Sequence, residues 1–531
     1  MIFTLHRYMF RELLRIFILA TVGLTLILSL VGILRPVQEY GVGPRQAVHI
    51  LIYFMPITLT FVLPMAALFA SALAYGRFAS DNELDACRAS GIGMLTLVYP
   101  GLALAVLVAI ANLMLSFHVM PYFVHLAEKS LKADAKQILF RNIERRGYYS
   151  VPTGKSDNYL IYADDLDLKD DTLYGIIVVE ASNEGTKNII TSDKTVVKFD
   201  SRENSNEVQL VVHNYKQMGS GDNCWEGNVG LLALTKEFGS LLGDDIKFKK
   251  IEEMKQIRGD LMRFDPIART AQAVYTQLVT ELLARDINEV VATGGSYELR
   301  NSTTSIRLTA RRCELRQHAT ITLMPPVAVQ ERDGSGRYRR LLCEKEKGEI
   351  LVQEGTTEPT FSVRLHNPQA QETGQLLVQY AVGDLVLPEG VKRGLNGRPM
   401  LQAVTADLAV PLRRPPSSIL ARQQNSLFKE IGDALTDIKA EINSRLVFGI
   451  GCVPMILIGI GLGIIQRGGH LLSAFGASCL PAAVLIVAII SGKNLTVNLG
   501  VQSSSGIIIM WSGLAFLILL TAIIYRKLRR T

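Results

Sequence analysis

Ser80-Asp81-Asn82-Glu83-Leu84-Asp85-Ala86-Cys87-Arg88-Ala89-Ser90-Gly91-Ile92-Gly93-Met94 is a charged segment set between two long apolar runs, about residues 47–76 and 95–120. Ser80 followed three residues later by Glu83 has the spacing of a capping box, so a helix is predicted to begin at Ser80. Asp81 and Glu83 fall in its first turn, where the unpaired N–H groups favour anions. Gly91 stands where a left-handed residue would end the helix. Glu83, Ala86, Cys87 and Ser90 share one face by the three-and-four rule. That face carries one carboxylate among small side chains, and a stub of this kind held against a membrane suits a groove on another protein. The residues alone leave a simpler alternative open: Glu83 only caps its own helix and Arg88 only pairs with Asp85.

The surrounding runs are long enough to cross a bilayer at 1.5 Å per residue. Arg7, Arg11 and Arg15 lead into the first, about Phe17 to Leu34, which has no small-residue cleavage site and reads as a retained span closed by Arg35-Pro36. The second, about 47–76, holds Pro56 and Pro64, tolerated in membrane helices. The third, about 95–120, carries Asn112 and His118 and continues as an amphipathic stretch from Val124 to Phe140. An amphipathic helix over about Ser426 to Arg445 leads into a fourth run, Leu446–Ile465. The short turn Gln466–His470, the fifth run Leu471–Ile490, a loop around Lys493–Ser505 and the sixth run Gly506–Tyr525 complete the series. Basic residues cluster at the N-terminal arm, Arg77 with Arg88, Arg467 and the Arg526–Arg530 tail. Six crossings put all four locations on one side, cytoplasmic by the positive-inside rule. Everything between the third and fourth runs then lies outside.

That outer region, about 141–425, alternates like strands: Asn158–Tyr162, Leu173–Glu180, Asn188–Phe199 and Val208–Tyr215 are separated by Asp and Gly clusters, the pattern of an antiparallel module. A Gly- and Asp-rich break is predicted at about 217–245. A helix is predicted over about 266–291, from Ile267, Ala271, Val274, Leu278 and Leu282. Strand-like alternation resumes at Ser305–Thr309, Thr320–Met324, Tyr338–Cys343, Ile350–Val352, Thr360–Leu365, Leu376–Ala381 and Leu401–Val410, and Pro411–Pro416 reads as a linker. The fold class is thus an α-helical membrane protein with six transmembrane helices (3+3) and a β-rich insertion between helices 3 and 4. Its parts are 1–140 with the cytoplasmic helix at about 80–94, the outer region 141–425, and 426–531.

Hydrophobic residues make up 48% of the 531 and charged residues only 20%, which excludes an ordinary soluble protein. The net charge of +7 is not gathered into a basic stripe with interleaved aromatics, so no nucleic acid is implied. Gly154-Lys155-Ser156 resembles the end of a P-loop, but Tyr149 stands where the first glycine belongs. No metal, nucleophile-elbow or cofactor motif is present, and no cofactor is expected. Spans almost free of acidic residues argue against an ion-driven carrier. Of the six cysteines, Cys224, Cys313 and Cys343 lie in the outer region, where a Cys313–Cys343 bridge is possible but not decided by spacing. Gly459-x-x-x-Gly463 in the fourth span permits close helix contact. Arg35, at the outer end of the first span, is either an interfacial anchor or a contact for an acidic lipid head group.

Asn82-Glu-Leu-Asp-Ala-Cys-Arg-Ala-Ser-Gly91 resembles the cytoplasmic loop of the LptF/LptG (YjgP/YjgQ) permeases. Arg7–Tyr8 with Glu12, Glu441–Leu446, Arg467–His470 and residues of about 158–216 are similar to other parts of that family. The resemblance implies a non-catalytic permease of a lipopolysaccharide-exporting ABC transporter, in the inner membrane of a diderm bacterium with both termini cytoplasmic. It implies as partners a cytoplasmic ABC ATPase dimer, a second LptF/LptG-type permease, lipopolysaccharide or a similar lipid, and periplasmic bridge proteins of the LptC/LptA type. The insertion would be periplasmic and jellyroll-like at about 150–216. By the same resemblance Glu83, Arg88, Ser90 and Gly91 couple to the ATPase and Arg35 meets the lipid. Two rivals stand beside it: an ABC permease for lipoprotein or peptide cargo, and an envelope scaffold or receptor without an energy source. The outer region is longer than one jellyroll requires.

Overall fold

The computed structural model describes residues 2–40, 44–151, 157–167, 170–182, 185–202, 205–219, 224–234, 245–301, 304–316, 320–333, 338–344, 346–353, 359–372, 374–377, 379–395, 397–465, 471–499 and 504–530. Two units make up the chain: Met1–Met254 with Asp437–Thr531, and Lys255–Thr436. The first unit opens with helices α1 (Ile2–Tyr40), α2 (Pro44–Ser80), α3 (Glu83–Ala89) and α4 (Met94–Met114). A π-helical turn, Leu115–Val119, joins α4 to α5 (Met120–Arg146). Helix α1 continues through Arg35 and Pro36, so that dipeptide does not close it; a proline does not force a helix to stop where bilayer and neighbours supply other partners.

Strands β1 (Tyr148–Val151), β2 (Asp157–Tyr162), β3 (Asp165–Asp167), β4 (Thr172–Ser182), β5 (Gly185–Arg202), β6 (Ser205–Gly219) and β7 (Cys224–Leu234) form one antiparallel sheet in the order β1-β2-β4-β5-β6-β7, with β3 on β4. Each strand pairs with a neighbour in sequence, so the described pairings are those of a meander; the strand exchange of a jellyroll is not among them. Strand β7 also occupies part of the break expected at 217–245, because Cys224–Leu234 continues the ladder from β6. The buried face of the sheet (Ile161, Leu173, Ile176, Val178, Leu210 and Val212) packs on Leu139, Phe140 and Ile143 of α5, with Leu51 and Phe54 of α2 against the same cluster.

The second unit runs from the end of α6 (Ile251–Gly259) through α7 (Asp265–Ala292), strands β8 (Tyr297–Arg300), β9 (Thr304–Thr309), β10 (Arg312–Arg316), β11 (Thr320–Met324), β12 (Val327–Asp333), β13 (Tyr338–Cys343), β14 (Gly348–Gln353), β15 (Thr360–His366), β16 (Gln369–Ala370) and β17 (Gln379–Leu385), and helices α8 (Glu389–Leu395), α9 (Met400–Thr405) and α10 (Ala409–Leu412). It holds two five-stranded antiparallel sheets, β10-β11-β14-β15-β17 and β16-β13-β12-β9-β8. Helix α7 appears where its apolar spacing predicts it. Its polar residues tie distant loops: the buried Glu281 accepts from the Ser417 N–H at 3.2 Å and from its hydroxyl, and Asn288 exchanges two hydrogen bonds with the backbone of Cys313 at 3.0 and 2.8 Å. The stretch read as alternating at Leu401–Val410 forms two short helices, α9 and α10, joined through 406–408, with Ala403, Val404, Leu408 and Leu412 buried. Cys313 on β10 and Cys343 on β13 belong to different sheets and are both free, so the possible bridge is absent. Burial pushes the Cys313 thiol up to about 12; burial, with the Glu346 carboxylate beside it, pushes Cys343 up to about 11. Both are poor sources of the thiolate that disulfide exchange needs.

Helices α11 (Ser418–Ile465), α12 (Leu471–Leu499) and α13 (Ser505–Arg530) end the chain. Lys493 is therefore helical, not part of a loop. The turn at 466–470 and the Gly154-Lys155-Ser156 motif lie outside the described residues. Among the described residues six helices have the length and hydropathy to cross a membrane: Phe3–Gly32, Leu51–Ser80, Met94–Ala127, Ser418–Ile465, Cys479–Val497 and Ser505–Arg529. Helix α2 packs closely on α11 through small residues. A Cβ on Gly463 would stand 2.7 Å from the Ala72 carbonyl oxygen, and one on Gly459 2.6 Å from the Ser71 hydroxyl. Ser71 donates to Leu68 O at 2.8 Å and, across the helices, to Ile456 O at 3.3 Å. Without a hydrophobic drive inside lipid, such close packing is what holds helices together. Gly463→Val is expected to force α11 off α2 and destabilise the bundle by about 1–3 kcal/mol, the usual cost of overpacking, seen as a lower thermal midpoint in detergent. Gly476→Ala, where the added methyl meets open space, should leave the midpoint unchanged.

Candidate functional site

The α2–α3–α4 turn is built from the inside outward. Leu84 is buried in the bundle core, with Cys87 and Ile92 packed against that core. Glu83, Ala86, Ala89, Ser90 and Gly91 are exposed, and Cys87 and Arg88 are half-buried. The face predicted from spacing is thus present, with Cys87 at its inner margin. The helix begins at Glu83 rather than Ser80. Ser80 is still in α2, its hydroxyl turned back to Arg77 O at 2.9 Å, so the capping box does not form. The chain breaks instead at Asn82, whose φ of 60° is left-handed and whose carbonyl accepts the first α3 bond from Ala86 N–H at 3.0 Å. Asparagine tolerates that conformation better than most residues.

The other end matches its prediction. Gly91 has φ +81°, Ile92 N–H reaches back to Cys87 O at 3.1 Å and Gly91 N–H to Arg88 O at 2.9 Å. This pair of bonds is a Schellman motif, and Ile92 beside Cys87 supplies its apolar contact. Asp85 and Arg88 are 3.9 Å apart, both partly exposed, a pairing worth a few tenths of a kcal/mol at most.

Three contacts fix this turn to the bundle. Arg77 pairs with Glu12 of α1 at 3.0 Å. The Tyr8 and Phe78 rings lie 6.1 Å apart. The buried Tyr75 hydroxyl enters the backbone ladder of α4: it donates to Leu97 O at 2.9 Å and accepts from Gly101 N–H at 3.2 Å, beside Pro100, which has no N–H to give. Gly461 of α11 lies against Ile524 of α13, and Gly463 against α2 near Gly76. The N-terminal part of α1, α3 and the C-terminal parts of α11 and α13 therefore share one end of the bundle.

At the other end is a polar cluster that sequence reading did not assemble. The buried Arg445 pairs with Glu441 at 2.9 Å, and Lys493 of α12 reaches the second Glu441 oxygen at 2.6 Å. Arg445 also donates to Ser116 O in the π-turn at 2.9 Å, to Lys247 O at 2.7 Å and to Lys249 O at 3.3 Å. The i, i+4 spacing of Glu441 and Arg445 was visible in the sequence; Lys493 is 52 positions from Glu441 and gave no signal. Arg35 lies in α1, and its side chain is outside the described residues.

Residues 7–223 match the family model of the lipopolysaccharide export system permease LptF/LptG. The resemblance read from the sequence holds over that stretch. The LptF/LptG region contains Arg35, Glu83, Arg88, Ser90 and Gly91; Glu441–Leu446 and 466–470 lie beyond it. LptF/LptG proteins are permease subunits of lipopolysaccharide export, generally non-catalytic, and six long apolar helices fit that membrane role. No curated protein matches the chain.

Two substitutions test the two ends. Tyr75→Phe is expected to strip a partner from each of two buried backbone groups and cost about 1–3 kcal/mol; an unchanged thermal midpoint would mean that α4 closes the gap by itself. Arg445→Met leaves Glu441 buried beside a single cation and should cost about 3–5 kcal/mol, with Glu441→Gln/Arg445→Met recovering part of the lost midpoint.

Proposed function

We propose that the chain is a non-catalytic permease subunit of an ABC exporter that lifts lipopolysaccharide or a related lipid from the inner membrane and passes it to a periplasmic bridge. A separate cytoplasmic ATPase dimer drives it, and a second LptF/LptG-type permease completes the membrane part. Residues 1–140 and 426–531 form three crossings each, with both termini cytoplasmic, and 141–425 lies in the periplasm. The basic residues beside the spans support this orientation.

The observation that carries the reading is the construction of α3. Its inner side is anchored by Leu84, its end is fixed by Gly91, and its outer side offers Glu83 among Ala86, Ala89 and Ser90. A rigid stub with one carboxylate and small neighbours seats in a groove of the ATPase, with Arg88 at its edge. When the ATPase moves, α2 and α4 follow, because Tyr75 joins them. Helices α2 and α5 also pack beneath the β1–β7 sheet, so the displacement reaches the lipid end. There Arg35 meets an acidic head group. Tyr148, Tyr162 and Ile177, directly opposed across β1, β2 and β4 and all exposed, start an apolar path for acyl chains.

Glu83→Lys is the direct test. The variant is expected to keep its thermal midpoint, since Glu83 is exposed and has no side-chain bond to another described residue, and to lose co-purification with the ATPase. Normal co-purification and export by that variant would reject the coupling role. Mass spectrometry of lipid carried by the complex separates lipopolysaccharide from lipoprotein or peptide cargo.

A further inference from the structure

We propose that the outer face of the β16-β13-β12-β9-β8 sheet binds the phosphorylated sugar part of a lipid, through a line of four arginines. The register fixes which side chains share that face. Val329, Leu341, Ile306, Leu308, Tyr297 and Leu299 point the other way and are buried. Outward, Arg340, Gln330, Arg307 and Glu298 are directly opposed in one row across β13, β12, β9 and β8. Tyr338, Arg332, Ser305 and Arg300 make the next row on the same strands. Each of the four strands thus carries one arginine, and the arginines alternate between the rows. With strands about 4.8 Å apart and rows about 7 Å apart, the Cα atoms of neighbouring arginines stand about 8 Å apart along a line of about 15 Å.

All four arginines are exposed. Arg307 and Arg340 have no ion-pair partner among the described residues. Glu298, the one acid in the two rows, faces Arg307 across the ladder but pairs with Arg300 at 3.0 Å. Arg332 lies on the Tyr338 ring, 5.5 Å from its centroid. Like charges gathered on one sheet face repel one another, and an anionic ligand relieves that cost. The side chains between the arginines decide the class of anion. Gln330 and Ser305 offer neutral donors and acceptors, and Tyr338, exposed by 59%, offers a ring. A sugar phosphate has hydroxyls for the first two, a C–H face for the ring and phosphate oxygens for the guanidinium forks. A protein partner needs a central apolar or aromatic cluster, and Tyr338 is the one large apolar side chain in these two rows. A membrane surface would draw on the charge alone and leave Gln330 and Ser305 without a use. A second copy of this chain meeting the face about a two-fold axis would set one basic face on another.

That the sugar belongs to the exported lipid rests on the role proposed above; the arginine line does not. The probe is lipopolysaccharide deacylated with alkali, which keeps its sugars and phosphates and has no acyl chains. Its binding is read on the full-length purified chain by calorimetry, without the ATPase, so it does not share the fate of the coupling role. Wild type is expected to bind it with an affinity that falls as salt rises, and enzymatic or chemical removal of the phosphates to weaken binding roughly tenfold. Arg307→Gln/Arg332→Gln/Arg340→Gln is expected to lose roughly tenfold or more at an unchanged thermal midpoint. The corresponding triple lysine variant should keep part of the affinity, having the charge without the fork, and Glu83→Lys all of it. No binding by wild type, equal binding of the dephosphorylated probe, or binding unaltered in the glutamine variant overturns the proposal. So does tighter binding of polyglutamate or of phosphatidylglycerol nanodiscs through the same arginines, which would assign the face to an acidic protein or to a membrane surface.

Discussion

A backbone N–H or carbonyl without a partner inside a bilayer is too costly to leave, and this constraint governs the helical half of the molecule. Regular helices meet it by themselves. The informative places are where the ladder breaks. Helix α4 breaks twice, at Pro100 and at the π-turn after Met114. Side chains from other helices enter at both places: the Tyr75 hydroxyl from α2 stands between Leu97 O and Gly101 N–H beside Pro100, and the Arg445 guanidinium from α11 donates to Ser116 O in the π-turn. A weakness in one helix thus becomes a fixed joint between two, and α4 is held near both ends.

The second joint places charge where charge is expensive. Burying an ion pair is offset only when the geometry is good and the remaining donors are met. Here Glu441 receives two cations, and Arg445 spends its other N–H groups on three carbonyls. Two of those carbonyls belong to Lys247 and Lys249, on the segment that returns from the β1–β7 sheet. The cluster therefore ties the π-turn, α11, α12 and that returning segment at a single point.

The six long helices, α7, most strands and the Gly91 cap were legible in the sequence because each rests on local periodicity or on a backbone conformation that glycine favours. The errors came where two local readings fit the same residues. Leu401–Val410 alternates in sequence, but the chain forms two short helices there, and the adjacent Ala403 and Val404 are both buried, which a strand with one buried face would not allow. Ser80 and Glu83 have capping-box spacing, but α2 runs one turn too far, and the left-handed Asn82 makes the break instead. Tyr75 lies within an apolar run and carries no local signal. Its role, like that of Lys493, exists only through residues distant in sequence, Leu97 and Gly101 for the one and Glu441 for the other.

A seven-residue helix in water has no stability of its own, since nucleation costs more than so few bonds return. Helix α3 persists because Leu84 is packed in the core and because left-handed residues close the chain at both of its ends. Its direction is consequently that of α2 and α4, and it cannot tilt freely as a tether would. A force applied at Glu83 has two outcomes, unfolding of α3 or displacement of the helices beneath it. The close contact of Gly459 and Gly463 with α2 resists the separation of α2 from α11. The large exposed apolar faces of α1 and α13, by contrast, present Leu19, Ile27 and Leu30, and Ile508, Phe516 and Leu519, to the surroundings. On the coupling proposed above, motion is least opposed between those outer faces and whatever covers them, and the α2–α4–α11 core would follow α3 as a body.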